Sequence, residues 1–290
     1  MIMPRNTGKR LLESFTIIKH NRRAFFGLCV LVFFILMATA GPVVIPLDMS
    51  QDFLMRFQGP SWAHILGTDF AGRDIFQQLV HGSTDVLTIA FATAFFGSFI
   101  AVLVGLSAGL VGGKFDMLMM RIIDIFLTVP NFPIMIIFAS IFRINDPISF
   151  ALVLAAWSWP GLARALRAQV LSLKHKEFVE VSRVMAMPYR HIMFKEALPG
   201  LMPYLMINFI DMARGAITAS VGIMLLGLVP LSVTNWGMML NFATFQTGAI
   251  YVPSALSYLL SPMLAIILFQ YGLICFASGV EEIFDPRLRS

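Results

Sequence analysis

The chain has 290 residues, of which 58% are hydrophobic and only 13% charged, and its mean hydropathy is +0.81. A soluble domain carries about a quarter charged residues, so these proportions exclude an ordinary water-soluble globular protein and suit a surface that faces lipid, where no water solvates charge. The net charge of +5 calls for a nucleic-acid partner only if the basic residues are not explained otherwise, and their positions along the chain do explain them.

A helix needs about 20 apolar residues to cross the bilayer core, and six runs qualify, at 25–45, 86–111, 117–142, 148–166, 201–229 and 262–284. Residues 1–24 form a basic N-terminal segment expected in the cytoplasm. The first run, 25–45, follows Lys19, Arg22 and Arg23 as a signal peptide's apolar stretch would, but it shows no small-residue cleavage site and reads as a retained anchor. Residues 46–85 are expected outside, 86–284 form a five-helix core, and 285–290 return to the cytoplasm as a tail. With this topology 17 of the 21 Lys and Arg lie on the cytoplasmic side, against Arg56, Arg73 and Arg143 outside and Arg214 within a run. That bias follows the positive-inside rule and accounts for the basic charge without nucleic acid.

Within the core, Gly105 and Gly109 form a G-x-x-x-G among further small residues at Gly97, Gly112 and Gly113, which allows close helix packing or a hinge. Pro130 and Pro133 are expected to distort the third span. Asp211 and Arg214 lie three apart, on one helix face, deep in an apolar run. Asp69, Asp74 and Asp85 are acidic, but Arg73 among them points to a structured external loop rather than a cation site. His20, His64, His81, His175 and His191 form no i, i+4 pair and have no cysteine neighbour, and Cys29 and Cys275 sit in apolar runs, so no metal site or disulfide is expected. Gly8-Lys9 and Gly113-Lys114 lack the surroundings of a phosphate loop, so the chain is not expected to hydrolyse ATP, and no nucleophile triad is evident.

The longest polar cytoplasmic stretch is 167–200. Phe178, Val181, Ser182 and Met185 have helical spacing, and Pro188 is expected to end that helix before a second one running to Leu198. Two short helices at the inner face either lie in the groove of a soluble partner or rest on lipid headgroups.

The stretch from Glu177 to Ile192, EFVEVSRVMAMPYRHI, followed by Ala197-Leu198-Pro199-Gly200, resembles the EAA loop of binding-protein-dependent ABC importer permeases. Glu180 matches the motif's Glu; Val181 and Ser182 stand where it has Ala, Ala186 where it has Gly, and Glu196 where an apolar residue is usual. Leu66-Gly67-Thr68-Asp69 with Gly72-Arg73-Asp74, Trp159-Pro160-Gly161-Leu162-Ala163-Arg164 with Arg167-Ala168-Gln169-Val170, and Asp285-Pro286-Arg287-Leu288-Arg289 are similar to signatures of the dipeptide, oligopeptide and nickel branch.

This resemblance implies an all-α polytopic membrane protein with six transmembrane helices, the type I ABC importer permease fold, in the inner membrane with both termini cytoplasmic. It implies a second, homologous permease subunit, two ATP-binding cassette subunits that hold ATP and Mg, and an extracytoplasmic substrate-binding protein. No cofactor is expected in this chain itself. Coupling to the ATPase is carried over onto Glu177, Glu180, Val181, Ser182, Ala186, Met187, Pro188, Tyr189 and Arg190. Asp211 and Arg214 are then a neutralising pair facing the other permease, a polar lining of the substrate path, or a proton relay. The implied substrates are oligopeptides, with nickel and cello- or manno-oligosaccharides as alternatives. The external stretch 234–251 departs from the shorter, Pro-rich loop of plain peptide members, and its Trp236 and Tyr251 suit either sugar stacking or interfacial anchoring. A different class, an ion-coupled secondary transporter, predicts inverted repeats, which are not evident.

Overall fold

The computed structural model describes residues 19, 21–142, 144–173, 176, 182, 184–229 and 231–284. Among these residues the structure is helical, and the extended pairing is limited to an isolated bridge between Thr68 and Asp74. They fall into two compact units, one within 1–87 and 232–290, the other within 88–231.

The first unit opens with α1, Arg22–Thr39, and closes with α10, Leu256–Phe284. Asn21 caps α1, its Oδ1 accepting from the N–H groups of Arg23 and Ala24 at 3.0 and 3.1 Å. Its Nδ2 donates to Glu282 Oε2 at 2.5 Å, which ties the start of α1 to the end of α10. Ala24, Gly27, Val30, Leu31, Phe34 and Ala38 recur at helical spacing and are buried, whereas Val32, Phe33 and Leu36 are exposed. Between lipid-covered helices burial alone drives little association, so close packing must do it. Gly27 permits it: a Cβ there would lie 2.4 Å from the backbone nitrogen of Phe276 on α10. Phe34 then reaches Phe269 and Trp236, with ring centroids 5.0 and 5.6 Å apart.

Trp236 opens the short helix α9, Trp236–Asn241. Expected as a sugar platform or interfacial anchor, it is instead fully buried, and its Nε1–H donates to Leu79 O at 2.9 Å. Tyr251 is exposed.

The stretch 66–74, expected outside, folds into a tight knot around Asp69. Its Oδ1 accepts from the N–H groups of Ala71 and Arg73 at 2.8 and 3.0 Å. Its Oδ2 accepts from Arg73 Nε, Arg73 Nη2 and Gln78 Nε2 at 2.9, 2.8 and 3.0 Å. Asp69 is completely buried, and Arg73 nearly so, its guanidinium 5.0 Å from the centre of the Phe70 ring. Gly67 and Gly72 take φ of +81° and +80°, a conformation that a Cβ penalises, and a Cβ on Gly72 would also lie 1.9 Å from Asp52 O. Asp74 finishes the motif by accepting from Gln77 N–H at 2.9 Å and pairing with His64 Nδ1 at 2.8 Å. The signature is thus a structural unit that ties residues 52–58 to the start of the next helix, with Asp52 N–H donating to Ala71 O and Phe57 N–H to Asp69 O.

That helix, α3, is Ile75–Val111, 37 residues or about 55 Å at 1.5 Å per residue. It starts well before the apolar run at 86–111 because Gln77, Gln78, His81, Ser83, Thr84 and Asp85 make its first turns polar.

The second unit contains the rest of α3 with α4 (Gly113–Thr128), α5 (Asn131–Ile141), α6 (Pro147–Leu173) and α8 (Leu198–Leu225). α4 and α5 meet at 88°. Pro130 causes this break, since it holds Val129 extended at φ −84° and ψ 129° and cannot itself continue the ladder. Pro133 lies in the first turn of α5, where a missing N–H costs little. Asp146 begins α6, accepting from the Ser149 hydroxyl and N–H, and these two bonds hold its carboxyl below the usual carboxylate range. Gly105 and Gly109 let α6 approach: a Cβ would lie 2.5 Å from Ala163 O at the first and 2.7 Å from Val170 Cγ1 at the second. The G-x-x-x-G is a packing face.

Among the described residues four helical segments are long and apolar enough to cross a membrane, namely α1, α3, α6 and Pro253–Ile283, and the bent α4–α5 pair makes a fifth if counted as one span. The run at 201–229 is α8, 28 residues long, but Asn208, Asp211 and Arg214 dilute its apolar surface and it does not meet the same standard. Among the described residues, length and apolarity alone thus mark four or five of the expected six spans.

Candidate functional site

Two features of the second unit are candidates for function: the segment leading into α8, and a cavity beside Asp211. Of the expected coupling residues, Glu177, Glu180 and Val181 lie outside the described residues, as does Arg183. Ser182 is buried, and its carbonyl accepts from Met187 N–H at 3.0 Å, closing a turn through Ala186. Pro188 is extended, and the single turn α7, Tyr189–His191, passes into a π-helical stretch, Ile192–Ala197, that feeds α8. Ile192 is 2% exposed and packs with Leu106, Leu110, Ile123, Leu166 and Leu201, with Met187 and Met193 against the same core. The other side is apolar but uncovered: Val184 is 88% and Met185 63% exposed, and Tyr189, Arg190 and Phe194 are exposed too. An anchored base under an exposed apolar tip is the form of a contact surface. The five-residue spacing of the π stretch also brings Glu196 within 3.7 Å of His191.

Ala186 takes φ +51°, the left-handed conformation that costs a residue with a Cβ about 1 kcal/mol. This explains why glycine suits the position. Ala186→Gly is expected to raise stability by up to about 1 kcal/mol and Ala186→Val to lower it by more, read as opposite shifts in thermal unfolding of the purified protein in detergent.

The base of this segment is braced by two ion pairs between α4 and α6. Arg167 makes a bidentate pair with Asp116, Nε to Oδ1 at 2.5 Å and Nη2 to Oδ2 at 2.6 Å. Arg164 pairs with Asp124. The arginines were evident as part of a motif; the two aspartates, 51 and 40 residues earlier, were not singled out. Their eight-residue separation, about two helical turns, was the available signal.

Asp211 and Arg214 do form an ion pair, Oδ1 to Nη1 at 2.9 Å. Asp211 is 57% and Arg214 34% exposed at the side chain. Asp211 borders a cavity of about 650 Å³ shared by α3, α5, α6 and α8, whose polar lining comes from Thr93, Asn131, Ser158, Asn208, Asp211 and Thr218. Asn208 lies one turn before Asp211 and could have been flagged by that spacing; Thr93, Asn131 and Ser158 come from other helices and could not. Among the described residues no three His, Cys, Asp or Glu side chains gather as metal ligands.

The family described as binding-protein-dependent transport system inner membrane component matches residues 101–290. The chain belongs to this family. The N-terminal transmembrane domain of oligopeptide transport permease C matches residues 12–60 of the permease. Over nearly its whole length it is 32% identical to a protein of Brucella suis biovar 1 named as a peptide permease, covering 98% of this chain and 93% of that one. It is 31% identical to the oligopeptide transport system permease protein OppC of Haemophilus influenzae, covering 93% and 86%. It is 30% identical to the dipeptide transport system permease protein DppC of Bacillus subtilis, covering 94% and 84%. The chain is accordingly a multi-pass inner-membrane ABC importer permease of the peptide branch, a transport protein rather than an enzyme.

Proposed function

We propose that this permease forms half of the translocation pathway of an ATP-driven importer of oligopeptides. Full-length likeness to named oligopeptide and dipeptide permeases carries the reading. The other half is a second, homologous permease; two ATP-binding cassette subunits supply ATP hydrolysis with Mg, and an extracytoplasmic binding protein delivers the peptide. The excess of Lys and Arg in 1–24, 167–200 and 285–290 supports cytoplasmic termini and a cytoplasmic coupling loop. In that orientation the exposed Val184, Met185 and Tyr189 lie where an ATPase subunit would dock, and the anchored Ile192 transmits its movement to α8. Sugar transport loses one of its supports with Trp236 buried.

The test is uptake of a labelled tripeptide, a nickel chelate and a cello-oligosaccharide by cells that carry the importer, together with affinity purification. Tripeptide uptake that stops on ATP depletion with the ion gradient intact, and an ATPase subunit that copurifies, are expected. Uptake that survives ATP depletion overturns the reading in favour of an ion-coupled transporter, and uptake of the other solutes alone overturns the peptide.

A further inference from the structure

Polar groups among membrane helices are costly unless they face one another or water, and six polar side chains from four helices line one cavity. Their hydrogen bonds give that cavity a chemical sign. Thr93 Oγ1 donates to Ala151 O at 3.2 Å, Ser158 Oγ to Leu154 O at 3.0 Å, Thr218 Oγ1 to Arg214 O at 3.1 Å and Asn208 Nδ2 to Tyr204 O at 2.8 Å. Each hydroxyl proton, and an amide proton of Asn208, is therefore directed to a helix carbonyl, while the hydroxyl lone pairs of Thr93 and Ser158 and the Asn208 amide oxygen can accept. Asn131 adds an amide that can both donate and accept. Asp211 adds a carboxylate bonded to Arg214 through Oδ1, and its side chain is more than half exposed. The lining is thus rich in acceptors and carries an accessible anionic oxygen. The remaining walls, among them Phe132, Met135, Leu154 and Met212, are apolar. The volume, about 650 Å³, is that of a small-ligand site.

We infer that this cavity is a subsite for the α-ammonium end of a peptide in transit, with Asp211 as its counter-charge and the oxygens of Thr93, Ser158 and Asn208 as further acceptors. An ammonium offers three donors and no acceptor, the complement of this lining. The adjoining apolar walls accept a first side chain of varied size. This inference rests on the peptide reading above and assigns to Asp211 the pathway role rather than that of a pair serving only to neutralise Arg214.

The experiment uses the complete importer complex in lipid nanodiscs without its binding protein, and measures equilibrium binding of labelled Ala-Ala-Ala and of its N-acetyl form. At neutral pH the free tripeptide is expected to bind at least about tenfold tighter, a difference of about 1.4 kcal/mol. Asp211→Asn removes the difference, and Asp211→Glu, which keeps the charge, preserves most of it. Equal affinities on the wild-type complex, no saturable binding of either peptide, or a ratio unchanged in Asp211→Asn overturns the inference. The comparison on wild-type protein needs no variant and stands if a variant fails to assemble. Uptake of free tripeptide by the same complex with its binding protein separates the two levels: uptake with equal affinities overturns the subsite alone, and no peptide uptake overturns the peptide reading and the subsite with it.

Discussion

Asp69→Ala is expected to remove most of the folded protein from the membrane. The carboxylate is fully buried and accepts from two backbone N–H groups, from the Arg73 guanidinium and from Gln78. Its loss leaves a guanidinium that is 7% exposed without its counter-charge, and breaking a buried pair in this way costs about 3–5 kcal/mol. The two backbone donors lose their acceptor as well, which unties the turn held by Gly67 and Gly72 and the start of α3. Asp69→Asn retains an oxygen for the backbone donors but not the charge, and is expected to fall between. Replacing both partners, Asp69→Leu with Arg73→Met, removes the stranded charge and is expected to recover part of the loss. Membrane yield and thermal unfolding in detergent read all three. A wild-type result for Asp69→Ala would mean that the knot does not hold the segment before α3.

The same residues show what the sequence could reveal. Leu66 to Asp74 stood out as a motif, yet its role as a structural knot depends on where one carboxylate points, which no spacing encodes. Apolar runs located the helices because lipid selects composition directly, but they missed the first eleven residues of α3, where a helix continues in polar dress. Pro130 announced a distortion because its missing N–H is a local property; that the axes turn by 88° is not local. Trp236, an aromatic in a polar stretch, looks interfacial in the sequence, whereas a hydrogen bond to Leu79, 157 residues away, keeps it inside.

The candidate site divides along the same line. Asp211 and Arg214 were visible as charges in an apolar run, and their pairing follows from i, i+3 geometry alone. The cavity beside them was not visible, because Thr93, Asn131 and Ser158 are unremarkable residues until four helices bring them together. The braces Asp116–Arg167 and Asp124–Arg164 likewise exist only in the packed unit. They connect the end of α6 to α4, so a displacement of α6 against α4 is resisted by charge pairs as well as by apolar contact.

The docking role proposed for the segment 182–197 can be tested separately from its folding, because its apolar residues divide into two sets. Val184 and Met185 are exposed, so charging them costs the isolated permease about 0.5 kcal/mol or less. In an apolar cleft of an ATPase subunit, by contrast, the same charges would be desolvated at a cost of several kcal/mol. Val184→Asp with Met185→Asp is therefore expected to leave membrane yield and unfolding temperature near wild type. It should reduce ATP hydrolysis stimulated by the liganded binding protein, and peptide uptake with it, by at least about thirtyfold, the equivalent of about 2 kcal/mol. Ile192→Asp places a charge in the core itself and should instead lose the folded protein. The sign of the introduced charge distinguishes docking from adsorption to lipid: an apolar cleft rejects lysine as it rejects aspartate, whereas an anionic headgroup surface gains about 1 kcal/mol per added lysine. If Val184→Lys with Met185→Lys keeps wild-type stimulation while the aspartate pair loses it, the tip rests on the bilayer and the coupling contact lies elsewhere.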